Sequence, residues 1–128
     1  MMIVKNNSAA ESGRNYEAGA PPDAKLMAAI AKHAEELART GVLIESGGLL
    51  PSSHAARIRV ENGRLTVTDG PFIETKEVIG GYAILKAGSK KEAIELGRAF
   101  MQLHVDALGS SYEAELEIRP MFDPESPA

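Results

Sequence analysis

The pattern of hydrophobic and polar positions predicts two amphipathic helices. Between Asp23 and Gly41, apolar side chains recur every three or four residues, and charged residues occupy the opposite side. A second helix is expected to begin at Ser89, which forms a capping box with the glutamate three residues later. His33, at the edge of the first apolar stripe, is either a proton carrier or a boundary residue with a bonded ring nitrogen. His104, near the end of the second helix, is expected to have a capping or core role.

Alternating polarity predicts strands before, between and after these helices. The stretches with strand character are residues 1–5, 42–45, 54–60, 64–68, 78–86 and 113–119. Asn62-Gly63 suits a type I′ turn, so two of these strands form a hairpin with Val60 opposite Leu65 and Ile58 opposite Val67. One face of the hairpin is therefore apolar, and the other carries a polar row that runs up to Asp69: Arg57, Arg59, Thr66 and Thr68.

The stretch from residue 6 to residue 22 has no periodicity and is rich in Asn, Ser, Ala, Gly and Pro. We interpret it as a long loop inserted after the first strand. Long loops within compact domains are usually functional or disordered. It is therefore either a lid that carries Arg14 and Tyr16 or a loop that extends into solvent.

The order of the elements predicts a single α+β domain over residues 1–122, followed by a flexible tail at residues 123–128. It matches a βαββαβ plan with an added hairpin, in which two helices cover one face of an antiparallel sheet. The opposite face would carry Tyr82 together with Glu115, Glu117 and Arg119. Such a face suits a dimer seam around a polar cavity, but it also suits contact with solvent.

Composition narrows the class of protein. The chain has 128 residues, 44% hydrophobic and 25% charged, with a formal net charge of −4 and no cysteine. This charge argues against a nucleic-acid or membrane partner, and the lack of cysteine excludes disulfides and thiolate chemistry. No apolar run suggests a membrane span or a signal peptide, so a cytoplasmic location is expected. No phosphate-binding loop, metal-ligand spacing or nucleophile elbow occurs, so we expect no cofactor and no metal.

The most informative run of the chain extends from Val67 to Glu77. Asp69-Gly70-Pro71 stops a strand, because Gly70 permits a positive φ and Pro71 restricts the backbone. A carboxylate on such a turn can act as a general base or bind a ligand. Asp69 is therefore the candidate catalytic residue, although it can equally serve only to bond its own backbone.

The same run carries a family resemblance. Thr68-Asp69-Gly70-Pro71-Phe72, then Glu74-Thr75-Lys76-Glu77, then Gly80-Gly81-Tyr82 resemble the signature of YCII-related proteins of the DGPF type. The resemblance implies a ferredoxin-like domain that forms a dimeric α+β barrel, and an aspartate of this region as an active-site residue. In shorter members a histidine at the start of the first helix is its partner. Residues 21–25 contain no histidine here, so His33 or His54 would have to replace it.

Two functions follow as hypotheses. The first is a small-molecule-binding homodimer with possible metal-free acid–base activity centred on Asp69. Arg57, Arg59 and Arg119, if the sheet brings them together, would clamp a carboxylate or phosphate, and Tyr82 would complete the ligand site; otherwise these arginines form ordinary surface ion pairs. The second is a non-catalytic regulatory or accessory module with a protein partner. The resemblance makes a sigma factor an example of such a partner.

Overall fold

A computed structural model of the chain describes residues 1–7, 11–72 and 77–125. Its elements, in chain order, are β1 (Met2–Asn7), α1 (Glu11–Glu17), α2 (Ala24–Arg39), β2 (Leu43–Gly48), β3 (Ala56–Glu61), β4 (Arg64–Asp69), β5 (Glu77–Leu85), α3 (Lys90–Leu108) and β6 (Ala114–Ile118). Short 3-10 turns lie at Ser52–His54 and Gly109–Ser111. The mixture of helices and antiparallel strands confirms the predicted α+β class.

Four strands form one antiparallel sheet in the order β2-β5-β1-β6. The strands β3 and β4 form a separate two-stranded sheet, which we call the arm (residues 56–69). Its register is the predicted one, with Val60 opposite Leu65 and Ile58 opposite Val67. Asn62 and Gly63 both have positive φ, as a type I′ turn requires.

Both long helices begin where the sequence predicts, and α2 also ends where it predicts. Asp23 caps α2, since its carboxylate accepts a hydrogen bond from the backbone N–H of Leu26 at 2.8 Å. Gly41 has a φ of 78° just beyond the end of that helix. Ser89 caps α3 through the N–H of Glu92 at 3.1 Å, and the Glu92 carboxylate accepts a hydrogen bond from the N–H of Gly88 at 2.7 Å.

The helix α3 approaches the sheet closely at Gly97. A Cβ built on Gly97 would lie 2.7 Å from Ile118 Cδ1 and 3.0 Å from Leu116 Cδ2, both of β6. Leu116 and Ile118 pair with Val4 and Met2, so these four residues share the face of the sheet that α3 covers. Glu117, between them, lies on the opposite face, which we call the open face.

The prediction that residues 6–22 form one long loop is wrong for residues 6–7 and 11–17, whereas residues 18–22 form no helix or strand, as predicted. The strand β1 continues to Asn7, and α1 occupies Glu11–Glu17. Tertiary contacts hold this short helix: the Tyr16 hydroxyl donates to the carbonyl oxygen of Leu49, and the Glu17 carboxylate accepts from Ser52. Such contacts leave no periodic pattern in seven residues. Within the described ranges, no helix is long and apolar enough to cross a membrane.

Candidate functional site

A cavity of about 930 Å³ lies between the helices and the sheet. Apolar side chains dominate its walls, among them Met2 and Val4 of β1, Leu26, Ile30 and Leu37 of α2, and Phe100 of α3. Ligand sites for small molecules typically measure roughly 300–1,000 Å³ and have mostly apolar walls with a few polar groups. The volume and the lining of this cavity fit that description.

The cavity explains why the buried core is small. Among the described residues, Met2 and Leu26 are the buried hydrophobic side chains, at 5% and 7% exposure. Both border the cavity, as do Ile30 and Leu37, which are only half-buried. The helices therefore cover the sheet without filling the space above it.

His33 is among the residues that line this cavity, and it carries a buried polar atom. Its Nε2 is inaccessible to solvent and has no hydrogen-bond partner among the described residues. Nε2 is therefore not the bonded ring nitrogen that the interpretation of His33 as a boundary residue requires. A buried polar atom without a partner costs roughly 1–3 kcal/mol, so this one needs an explanation.

His104 of α3 is the second histidine in the cavity wall, and it is buried as predicted. Its Nδ1 lies 3.0 Å from the carbonyl oxygen of Phe100, which can only accept, so Nδ1 carries the proton. Burial lowers the pKa of His104 below its ordinary value of 6.5, and the bond to Phe100 partly opposes this. The neutral ring then has its lone pair on Nε2. The ring stacks on Tyr112 with centroids 5.4 Å apart, and burial raises the pKa of the Tyr112 hydroxyl.

The helix α1 forms one wall of the cavity through Asn15 and Tyr16. Partial burial raises the pKa of Tyr16, with a further contribution from the neighbouring Glu17 carboxylate. Glu17 also accepts hydrogen bonds from the N–H of Ser52, at 2.9 Å, and from the Ser52 hydroxyl. The segment that the sequence suggested as a lid thus lies against the cavity and is bonded to the chain just before the arm.

Asp69 lies at the exposed end of β4, opposite Ala56. Gly70 follows it, with its N–H bonded to the carbonyl oxygen of Ala55 at 2.8 Å, and the Gly70–Pro71 peptide bond is cis. Gly70 does not use the positive φ that a glycine permits, since the described glycines with positive φ are Gly19, Gly41, Gly63 and Gly109. Residues 73–76 of the signature run lie outside the described residues.

The other predicted site residues are distributed over both sheets. Tyr82 borders the cavity, whereas Asp69 and the three predicted arginines are not among its described lining residues. Arg57 lies on the arm with its guanidinium carbon 3.7 Å from the centroid of the Phe72 ring, a cation–π contact. Arg59 pairs with Thr66 across the arm. Arg119 follows β6 and forms a 2.6 Å ion pair with Glu117.

Charged residues lie on the open face of the four-stranded sheet. Lys5 donates to Glu117 at 2.7 Å and lies 3.6 Å from Glu77. The hydrogen bond between Lys5 and Glu117 is the main cause that raises the pKa of Lys5 and lowers the pKa of Glu117. The cavity described above lies on the other side of the sheet, between it and the helices. The dimer seam around a polar cavity that the sequence analysis associated with the open face stays a prediction. No cluster of three or more potential metal ligands occurs within the described ranges.

The sequence analysis named both His33 and His104 but did not predict that they line the same cavity. The available indication was the position of His33 in line with Leu26, Ile30 and Leu37 on α2. Periodicity shows which side of a helix faces inward, but it does not show whether that side meets other side chains or a cavity.

Comparisons with known proteins agree with the sequence resemblance. The family model described as the YCII-related domain matches residues 1–104. A curated relative from Rhizobium meliloti (strain 1021), Uncharacterized protein R00369, is 32% identical over 76 residues, which cover 59% of this chain and 61% of the relative. The chain thus matches less than two thirds of that relative's length, and the relative's name assigns no activity.

Proposed function

The chain belongs to the YCII-related family, and we propose that it is a homodimeric protein that binds a small molecule in the cavity between α2, α3 and the sheet. The observation that carries this proposal is the cavity itself, with its volume of about 930 Å³ and its apolar walls. A bound molecule would cover the half-buried side chains that leave the core incomplete. Burial of apolar surface is the main source of affinity in such sites.

The proposed fold is a ferredoxin-like βαββαβ domain. The strand order β2-β5-β1-β6, with α2 and α3 on the connections that follow β1 and β5, supports this arrangement. The arm is an insertion between β2 and β5. In the proposed dimer, two such domains pair as an α+β barrel.

The exposed surface of the chain supports association. The accessible surface is 9195 Å², whereas a compact monomer of 13.6 kDa exposes roughly 6,600 Å². The arm contributes an apolar face on which Ile58, Val60, Leu65 and Val67 are 66–73% exposed. A stable interface needs roughly 800 Å² from each partner. The surplus surface is large enough to supply it.

We assign metal-free acid–base chemistry to the same cavity. The support is His104, since its bond to the carbonyl oxygen of Phe100 leaves the lone pair on Nε2 of a neutral ring. Asp69, the candidate from sequence, is not among the residues that line the cavity of its own chain. Asp69 can therefore take part in chemistry in this cavity only if the arm of a second copy places its Asp69 there. Catalysis by Asp69 thus depends on the proposed dimer.

The test is a thermal-shift screen against a library of metabolites with four proteins. These are the wild type, Ala34→Phe, which fills the cavity, Ala28→Phe, an exposed position on the opposite side of α2, and Asp69→Asn. A ligand at a hundred times its dissociation constant adds about 2.7 kcal/mol to the free energy of unfolding. A hit that Ala34→Phe loses and Ala28→Phe keeps supports the proposal. Hits that Ala34→Phe keeps contradict it.

Asp69→Asn separates the roles of Asp69. If Asp69 contacts the ligand, the variant loses the thermal shift while its own stability changes little. If Asp69 only bonds its own turn, the variant is less stable and responds to the ligand as the wild type does.

A second candidate function is a regulatory or accessory module that binds a different protein, such as a sigma factor. The apolar face of the arm favours it, because large exposed apolar patches commonly mark protein interfaces. In the first candidate function a second copy of the chain covers this face, and in the second a different protein covers it. Sedimentation of the purified chain as a monomer at micromolar concentration would favour the module, and a dimer would favour the first candidate.

A further inference from the structure

We propose that the cavity binds an elongated molecule with an apolar body and an uncharged head group that both accepts and donates a hydrogen bond, such as a carboxamide. Asn6 donates to this head group, and Nε2 of His104 accepts from it. This inference rests on the proposed function, because it takes the cavity between α2, α3 and the sheet as the ligand site. It adds the chemical class of the ligand and the two residues that recognise its head group.

Asn6 and His104 differ from the other polar residues of the cavity in their burial. They are the two buried polar residues of the described ranges, at 8% and 7% exposure, and both line the cavity. An exposed polar side chain can bond bulk water, whereas a buried one depends on partners inside the protein. The other described polar residues that line the cavity are exposed or half-buried: Asn15, Tyr16, Asp23, His33, Ser46, Tyr82, Ser111 and Tyr112.

The unbonded polar atoms of these two residues remain in contact with the cavity space. Within the described residues, no group bonds the Asn6 amide, and His104 uses only Nδ1, which donates to the carbonyl oxygen of Phe100. The side-chain atom of this part of the chain that is both fully enclosed and unbonded belongs to His33. The amide of Asn6 and Nε2 of His104 are therefore not enclosed, and a molecule in the cavity can reach them.

Asn6 and His104 lie at the same end of the cavity. A Cβ built on Gly80 would lie 2.7 Å from Nδ2 of Asn6, so the amide packs against the backbone of β5. On its other side, Asn6 pairs with Ala114 of β6. Tyr112 lies two residues before Ala114 with an extended backbone, and the His104 ring stacks on Tyr112. We therefore expect one head group to contact both Asn6 and His104.

The opposite end of the cavity is apolar. The residues of β1 that line it change from Met2 and Val4 to Asn6 over a distance of about 13 Å. At the Met2 end, Leu43 of β2 pairs with Leu85 of β5, and both side chains line the cavity. A ligand with its head group at Asn6 therefore buries an apolar body toward Met2, which favours binding.

The donors and acceptors of Asn6 and His104 determine the charge of the head group. The Asn6 amide both donates and accepts, whereas Nε2 of the neutral His104 ring only accepts. Burial lowers the pKa of His104, so the ring stays neutral above pH 7. A carboxylate cannot donate to Nε2, and no lysine or arginine is among the described lining residues to balance its charge. An ammonium group cannot accept from Asn6, so an uncharged group with both functions fits best.

Three naphthalene probes with head groups of the same shape test this inference. They are 2-naphthamide, which donates and accepts, 2-acetonaphthone, which only accepts, and 2-naphthoate, which is charged. Their dissociation constants are measured by fluorescence titration or calorimetry at pH 7.5 with the full chain. The wild type is expected to bind 2-naphthamide about tenfold more tightly than 2-acetonaphthone, the effect of one hydrogen bond. 2-Naphthoate is expected to bind most weakly, because it gives Nε2 of His104 no donor and its charge has no partner.

Variants assign the binding of the head group to the two residues. His104→Phe, which keeps an aromatic ring against Tyr112, is expected to bind both neutral probes equally, whereas His104→Gln, which keeps an acceptor, retains part of the preference. Asn6→Leu is expected to weaken both neutral probes about tenfold, because both accept through a carbonyl. His54→Phe is the matched control and should behave as the wild type, since His54 is exposed and is not among the described residues that line the cavity. Circular dichroism and sedimentation confirm the fold and association state of every variant.

The outcomes separate this inference from the proposed function. If the wild type binds neither neutral probe, or Ala34→Phe binds both as the wild type does, both proposals fail. If Ala34→Phe loses both probes, the cavity stands as the binding site. In that case, a preference for 2-naphthamide that survives in His104→Phe, or no preference in the wild type, overturns the role of His104. Unchanged binding by Asn6→Leu overturns the role of Asn6, and tighter binding of 2-naphthoate than of 2-naphthamide overturns the uncharged class.

Discussion

Gly70 lies so close to Ser52 that a Cβ at position 70 would be 1.7 Å from the Ser52 carbonyl oxygen. The Ser52 hydroxyl in turn accepts a hydrogen bond from the N–H of Phe72 at 3.2 Å and donates to the Glu17 carboxylate. At the base of the arm, the backbone of Gly70 therefore packs directly against the backbone of Ser52 and leaves no space for a side chain. Glycine at position 70 is needed for this contact.

The substitution Gly70→Ala should destabilise the protein. The atom in its way belongs to the backbone and cannot rotate aside, so we expect a loss of about 1–3 kcal/mol or more in the free energy of unfolding. Urea denaturation measures it as a lower midpoint at an unchanged slope. Gly48→Ala is the control, because nothing lies within 4 Å of its built Cβ. Equal midpoints for the two variants would contradict the contact.

Removal of the unpaired nitrogen of His33 should stabilise the empty protein. His33→Leu replaces a buried polar atom without a partner by an apolar group, which is expected to add about 1 kcal/mol to the free energy of unfolding. His54→Leu, at an exposed position, should change it by less than about 0.5 kcal/mol. Denaturation in the absence of any ligand is the measurement. A loss of stability in His33→Leu would show that Nε2 already has a partner in solution.

The buried His104 should make stability depend on pH. Its pKa in the folded protein is below the ordinary 6.5, so below that pH the unfolded chain binds more protons than the folded one. The stabilisation is complete above pH 6.5 and is lost progressively as the pH falls from there through the lowered pKa.

Urea unfolding at pH 7.5, 6.5 and 5.5 tests this for the wild type and His104→Gln. The difference in unfolding free energy between the two proteins isolates His104 from the other titrating groups, including His33 and His54. This difference should shrink toward pH 5.5. A constant difference would show that the pKa of His104 is the same in both states.

The apolar face of the arm should hold the dimer together. Leu65→Glu places a charge on that face, where Leu65 is 73% exposed, whereas Thr66→Glu places it on the opposite face of the same strand. An unpaired charge in an interface costs several kcal/mol, so Leu65→Glu should weaken association at least about a hundredfold. Analytical ultracentrifugation over a concentration series measures this. Equal effects of both variants would show that the arm does not lie in the interface.

Sequence reasoning predicted the elements whose determinants are local. The Asn62-Gly63 turn fixed the register of the arm, and the capping box that starts at Ser89 fixed where α3 begins. Each depends on residues within four positions of one another. That is why one sequence sufficed to place them.

The features that sequence reasoning missed depend on contacts between distant segments. The helix α1 is held by bonds from Tyr16 and Glu17 to residues more than thirty positions away. The cavity depends on how far α2 stands from the sheet, a distance that the periodicity of α2 does not encode. The need for glycine at position 70 arises from Ser52, which no local turn rule includes.

The neighbouring residues Tyr16 and Glu17 connect the cavity with the base of the arm. Tyr16 borders the cavity, and Glu17 is bonded to Ser52 at the base of the arm. A ligand that shifts α1 therefore also acts on the arm, and a partner that holds the arm acts on the ligand. Linkage makes such an effect reciprocal: if the ligand tightens the dimer, dilution of the protein must weaken the ligand. The apparent affinity for the ligand would then depend on the concentration of the protein.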